Sequence, residues 1–204
     1  MVVRTLDAKR DPFRPNEDKK EILKPEVPYL SAIGALLYLA QCTRPDISFT
    51  VNMMSRDDNV SIHRHWNGVK EIFCYLEGMM DLGLFYTHES SRGAVAPLGL
   101  RVDSCLIGYA YTGYLFDSHR ACSQTGYVLT IRDIAISWRS TKQTLVATSS
   151  NHVEILALNK ALREYFWLRA VMEHIRSTSG LSSVVDLPTT IFKDNAACIE
   201  QLKK

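Results

Sequence analysis

Glu154 and Asp194 are two carboxylates far apart in the sequence, each beside a segment with a clear structural rhythm. Hard divalent cations such as Mg2+ take oxygen ligands, and metal-assisted phosphodiester cleavage draws several of them from distant segments. The short runs and helical stretches between residues 105 and 202 follow the order β-β-β-α-β-α. Such a unit sets its first and fourth strands side by side, so that their ends and the start of the first long helix converge at a switch point. Glu154 is expected in the first turn of that helix and Asp194 just past the fourth strand. The residue expected at the end of the first strand is Tyr111, whose phenol is neutral at pH 7 and bridges metal ions poorly. Both acids also have plain structural readings. Glu154 suits a helix N-terminus, worth a few tenths to about 1 kcal/mol, and Asp194 with Asn195 suits an N-cap.

Trp138, Arg139 and Lys142 form a second constellation. An aromatic ring and two cations in one loop suit contact with a nucleic-acid backbone, by stacking and by neutralising phosphates; the alternative is a polar turn with Trp138 in the core. His63 and His65 flank a helix start at a spacing that puts them on different faces, which favours a solvated or capping role over metal ligation. Asp103 is eight residues from Tyr111 and Asp117 is expected in the loop after the first strand, so neither is expected to take over its position. Cys42, Cys74, Cys105, Cys122 and Cys198 are odd in number and lack a C-x-x-C pair, so they read as reduced thiols.

Residues 1–27 are rich in Lys, Asp, Glu and Pro and form an extended lead-in. From Tyr29 to Gln41, Leu30, Ile33, Leu37 and Ala40 recur at helical spacing, Gly34 and Ala35 leave room for a close neighbour, and Pro45 stops the helix. Ile62 to Leu76 carries a second stripe of Trp66, Val69, Ile72, Phe73 and Leu76. The two make a small helical unit over 28–90, which a short strand from Leu82 to Tyr86 could extend. Beyond a linker the rhythm becomes strand-like at Cys105–Tyr111, Thr125–Ile131 and Ile134–Trp138, as in an antiparallel meander. A long helix follows over Val153–Ile175, entered through Ser149, Ser150 and Asn151 and ended at Gly180. Its expected apolar stripe is Leu156, Leu158, Ala161, Leu162, Phe166, Leu168, Val171 and Ile175. A fourth strand over Thr189–Lys193 and a last helix from Asn195 complete a second unit over 100–204.

With 46% hydrophobic and 23% charged residues, the 204-residue chain has an ordinary globular composition. A formal charge of +2 is too mild to announce a nucleic-acid partner. The N-terminus has charges where a signal peptide needs an apolar core, and no stretch nears the roughly 20 apolar residues of a membrane span. The expectation is a cytoplasmic or nuclear protein without membrane attachment.

Several passages resemble the Pol polyprotein of copia-type LTR retrotransposons. Gly108-Tyr109-Ala110-Tyr111-Thr112-Gly113-Tyr114 is similar to the family's G-Y-A-D-A-D-Y, with tyrosine at the first nuclease acid. Ser123-Gln124-Thr125-Gly126-Tyr127-Val128 and Ile136-Ser137-Trp138-Arg139-Ser140-Thr141-Lys142-Gln143 resemble its serine-threonine-glycine-tyrosine stretch and S-W-K-S-K-K-Q. Ser149 to Leu158 resembles S-x-x-E-A-E-Y-x-A-L and keeps the acid at Glu154; Asp194-Asn195-Ala196-Ala197 resembles D-N-x-x-A. Upstream, Tyr29 to Leu39, Thr43-Arg44-Pro45-Asp46-Ile47, and Trp66 to Tyr86 look like the segment that joins polymerase to nuclease.

The resemblance implies a helical reverse-transcriptase connection segment followed by an α/β, ribonuclease-H-like (RNase H-like) mixed sheet with flanking helices, shortened at its C-terminus and leaving apolar surface uncovered. It implies Mg2+-dependent cleavage of the RNA strand of an RNA–DNA hybrid, with Glu154 and Asp194 as metal ligands and hybrid as partner. Tyr111, and a fourth acid that intact members carry beyond residue 204, imply impaired catalysis. The alternatives are a non-catalytic nucleic-acid binder using Trp138, Arg139 and Lys142, or a relic of a transposable element.

Overall fold

In the computed structural model the structure describes residues 11–14, 23–24, 26–56, 62–86, 106–117, 122–131, 133–145, 149–180 and 190–203, with 115–117 described as backbone only. Cys105 and Asp103 lie outside these residues, as does most of the lead-in. The chain divides into two compact units, Met1–Gly83 with Asp117–Ala121, and Leu84–Phe116 with Cys122–Lys204.

The first unit holds three helices, α1 (Tyr29–Cys42), α2 (Ser48–Met54) and α3 (His63–Gly78), with a 3-10 turn at Pro45–Ile47. Proline at the first position of that turn needs no amide donor, and the chain passes directly from it into α2. The buried stripe of α1 is Tyr29, Ile33, Leu36 and Ala40. This differs from the expected stripe: Leu30 points to solvent, Leu37 is only partly buried, and among the described residues a Cβ added at Gly34 would meet no neighbouring element within 4 Å. The Tyr29 hydroxyl decides the rotation, because it donates to the Met54 carbonyl at 3.0 Å from a buried position. Close approach occurs instead at Gly68, where a Cβ would lie 2.8 Å from Pro12 and 3.1 Å from Met54.

Part of the lead-in is ordered. Phe13 joins the core of the helices, and its amide donates to Asp11 at 3.0 Å. A polar segment cannot order itself, but one aromatic anchor lets it borrow a core already formed. His65 caps α3 as expected, though fully buried: its Nδ1 accepts from the Ile62 amide and its Nε2 donates to the Arg14 carbonyl at 2.9 Å. Leu82–Tyr86 is not a strand. Its last residue belongs to the second unit, where the Tyr86 hydroxyl donates to the Ala135 carbonyl.

The second unit is a four-stranded mixed sheet, β1 (Leu106–Asp117), β2 (Cys122–Ile131), β3 (Ile134–Lys142) and β4 (Thr190–Phe192), in the order β3-β2-β1-β4. The first and fourth strands are neighbours and run parallel, Ile107 opposite Thr190 and Tyr109 opposite Phe192. β2 and β3 form an antiparallel hairpin whose register shifts between Leu129 and Thr130. Asp133 in its turn adopts φ 62°, a left-handed conformation that aspartate tolerates. The helix α4 (Ser150–Thr178) packs Leu158, Ala161 and Tyr165 on Leu106, Ala110, Tyr127 and Leu129. Ser149 is its N-cap, accepting from the His152 amide, and Gly180 at φ 69° follows its end. Only Leu158 and Ala161 of the expected stripe are buried, and Phe166 and Ile175 are exposed. α5 (Ala196–Leu202) is capped by Asn195, not Asp194.

The strands outrun their sequence signals. β1 continues past Tyr111 to Asp117, so Tyr111 lies mid-strand and Asp117 is part of the strand rather than of a following loop. β3 includes Arg139 and Lys142, which pair with Tyr127 and Gln124 and are not in a loop. Polar residues were read as breaks, but ladder hydrogen bonds carry a strand through them.

The helix anchors give two predictions. Tyr165→Phe removes the buried hydrogen bond from the Tyr165 hydroxyl to the Leu106 carbonyl and costs about 1 kcal/mol in urea denaturation. In the first unit Arg44 grips Asp46 through two nitrogens, at 3.0 and 2.8 Å, and the Tyr75 hydroxyl donates to the same carboxylate. The Arg44 hydrogen bond, outweighing the opposing effect of burial, holds the Asp46 carboxyl below its ordinary value of 3.8. The contribution to stability is therefore present above 3.8 and is lost as pH falls through the lowered value. Asp46→Asn flattens the acid limb of the stability profile there; an unchanged limb refutes the assignment.

Candidate functional site

Strand alternation and the helix axis determine where the sequence-selected residues go. Odd-numbered Tyr109 and Tyr111 face away from the side on which Leu106, Gly108 and Ala110 are buried, the last against α4. The Tyr111 ring lies against Gly126 of β2, where a Cβ would overlap it. Glycine in the serine-threonine-glycine-tyrosine stretch thus seats Tyr111. Tyr109 stacks on Phe192 at 5.4 Å between ring centres, so β1 and β4 present exposed Tyr109, Tyr111, Tyr114 and Phe192.

Glu154 is buried in α4, one residue beyond the first turn in which it was expected. Its carboxylate forms an ion pair with the Lys193 ammonium, which is 3% exposed. The same ammonium donates to the Ala110 carbonyl of β1 at 3.2 Å. The pair also acts on buried Cys198 of α5: burial pushes its thiol up, Lys193 opposes the rise and Glu154 adds to it. Asp194 follows Lys193 and is exposed. The topology therefore brings the Glu154 and Asp194 positions to one end of β1 and β4, but a cation is built in beside Glu154. Neither hydrogen bond nor ion pair joins Tyr111 to either acid among the described residues.

Among the described residues no three His, Cys, Asp or Glu side chains form a metal-holding group. The donor chemistry does not fit a divalent metal: the buried carboxylate is already neutralised by an ammonium and the third position offers a neutral phenol. Sequence reasoning missed Lys193, whose signal was a charge at the end of an otherwise apolar β-branched run.

Arg139 and Lys142 do come together, in a cleft of about 720 Å3 between the β2–β3 hairpin and α4. Trp138 does not line it; Trp167 of α4 does, with Thr125, Tyr127, Thr141, Lys160, Arg163 and Glu164. Lys160, Arg163, Glu164 and Trp167 follow the i, i+3, i+4, i+7 spacing of one helix face. That spacing was readable in the sequence, but the extension of β3 to Lys142 and the packing of α4 on the hairpin were not.

A parallel β1–β4 pair, a hairpin on β1's other flank and a long helix across the sheet define a mixed α/β module compatible with the RNase H-like fold. The chain belongs to the copia-type retrotransposon Pol family. It is 34% identical over 159 residues to the Pol polyprotein of transposon TNT 1-94 from Nicotiana tabacum, covering 78% of this chain and 11% of that one. It is 28% identical over 167 residues to the Pol polyprotein of transposon RE2 from Arabidopsis thaliana, covering 82% and 10%. It is also 35% identical over 142 residues to Secreted RxLR effector protein 161 of Plasmopara viticola, covering 70% of this chain and 92% of that relative. The chain thus spans about a tenth of the polyproteins and nearly all of the effector. No family model matches the chain. No solved structure matches it.

Removing one member of a buried pair strands the other's charge, at a cost of ~3–5 kcal/mol. Lys193→Met is expected to destabilise the second unit by that order in denaturant titration, and adding Glu154→Gln to recover most of the loss. A cost under about 1 kcal/mol would mean the pair behaves as a solvated surface contact.

Proposed function

We propose that the second unit is an RNase H-related module, descended from a hybrid-cleaving Pol nuclease, whose metal centre is disabled. The Lys193 ammonium on Glu154 is the observation that carries this reading. A divalent cation at Glu154 would have to displace a buried ammonium and then coexist with it, at a site where Tyr111 adds no negative charge. Loss of one well-placed electrostatic group commonly costs about 10²–10³-fold in phosphoryl transfer, and Tyr111 stands where the resemblance expects such a group. The ancestral cofactor is Mg2+, with Glu154 and Asp194 as the ligands that remain, and the ancestral substrate is an RNA–DNA hybrid.

The test is hybrid cleavage in Mg2+ or Mn2+ by the unmodified chain, Glu154→Gln, and a Tyr111→Asp/Lys193→Ala double variant. No cleavage above the Glu154→Gln background is expected from the unmodified chain. Cleavage that Glu154→Gln abolishes would sink the proposal, since the centre would then be working despite Lys193.

A second reading, non-catalytic contact with nucleic acid, is favoured by the convergence of Arg139 and Lys142 on one cleft. Hybrid binding should weaken as salt rises, and Lys142→Ala should reduce the salt slope by about one unit. A salt-independent association would exclude phosphate contacts as its source.

A further inference from the structure

The basic cleft has properties that contact with a duplex backbone does not require. Arg139 and Lys142 from β3 and Lys160 and Arg163 from α4 line one space, and among the described residues none of the four is in an ion pair. The carboxylate in the cleft is Glu164, which accepts from the Ser137 hydroxyl at 3.1 Å and lies near Tyr127. Four cations against one acid leave a strong local excess. Burial, and then the nearby Arg139 charge, lowers the Lys160 pKa, so the like charges are held at a cost that a bound anion would remove.

A second observation points the same way. Thr125 lines the cleft at 2% exposure, and its hydroxyl has no hydrogen-bond partner among the described residues. Buried hydroxyls are nearly always satisfied, and an acceptor-rich ligand would satisfy this one. Arginine forks and lysine ammoniums match phosphate oxygens. The cleft's size is that of a small-molecule site, and Trp167, 59% exposed, offers an open π face at its edge.

We propose that this cleft is a nucleotide site that takes a nucleoside di- or triphosphate, with the phosphates on Arg139, Lys142, Lys160 and Arg163, the Thr125 hydroxyl donating to a phosphate oxygen, and the base on Trp167. The site goes beyond hybrid contact and is independent of the metal centre, since Glu154 and Lys193 do not line it.

The experiment is calorimetric titration of the full chain with adenosine triphosphate, inorganic triphosphate and a short single-stranded oligonucleotide at fixed low salt. Variants are Lys160→Ala, Arg163→Ala, Thr125→Val and Trp167→Ala, each checked for an unchanged circular dichroism spectrum. Saturable nucleotide binding is expected, weakened about tenfold or more by Lys160→Ala and Arg163→Ala. Trp167→Ala should weaken the nucleotide and leave inorganic triphosphate unaffected. The proposal is overturned if adenosine triphosphate does not bind, if only the oligonucleotide binds, or if nucleotide binding ignores the four variants. Binding of inorganic triphosphate as tight as that of the nucleotide would overturn the stacking role. Because no outcome depends on cleavage, failure here is separate from failure of the nuclease reading.

Discussion

The second unit depends on how a three-residue strand is held at the edge of its sheet. β4 spans only Thr190–Phe192 and meets β1 across three register pairs. Parallel pairing is slightly weaker per residue than antiparallel pairing, and so short a ladder has little cooperativity of its own. The Lys193 side chain leaves the end of β4, donates to the Ala110 carbonyl of β1, and ends on Glu154 of α4. One ammonium thereby ties strand, neighbouring strand and helix at one point. α5 is fixed beside it through the Asn195 cap and buried Cys198. The Glu154 position is, in this chain, a point of mechanical attachment.

This use of charge explains why the candidate centre was half legible in the sequence. The β-β-β-α-β-α order, the neighbouring first and fourth strands and the caps at Ser149 and Gly180 all follow from periodicity and turn chemistry. Glu154 and Asp194 were placed at one end of the sheet by the same logic. The partner of Glu154 was not visible, because nothing local says whether a lysine beside a strand reaches into solvent or folds back over its neighbour. Tyr111 was identified as the wrong residue for a metal ligand, but its contact with Gly126 depends on a cross-strand neighbour that only the folded register reveals.

In the helical unit both long helices were legible, but the buried face of α1 was not. The spacing in α1 supports two overlapping stripes, one through Leu30 and Leu37 and one through Tyr29 and Leu36, and hydrophobicity alone barely separates them. The buried Tyr29–Met54 hydrogen bond favours the second, a tertiary preference that overrides local pattern. α2 escaped notice because seven residues give fewer than two full turns of periodicity. Phe13 escaped because its segment is polar on average, while the core it enters is built by residues that come later.

The most misleading quantity was the net charge. A sum of +2 suggests no preference for anions, yet it averages over acids and bases that the fold keeps apart. Arg139 and Lys142 sit on a strand, Lys160 and Arg163 one helix face away, and the crossing of α4 over the hairpin brings all four to one side. Coulomb energy depends on separation, so a mild total is compatible with a strongly positive cleft. The chain also has two opposite solutions for its cations. Lys193 is desolvated against a carboxylate and a carbonyl, with its hydrogen-bonding capacity directed inward. Among the described residues the cleft cations are in no ion pair, which leaves their charge available to an incoming anion. A basic residue is informative about ligands only when its acidic neighbours are known in space, and that is why this domain's strongest candidate binding surface lay outside the motifs that identified its family.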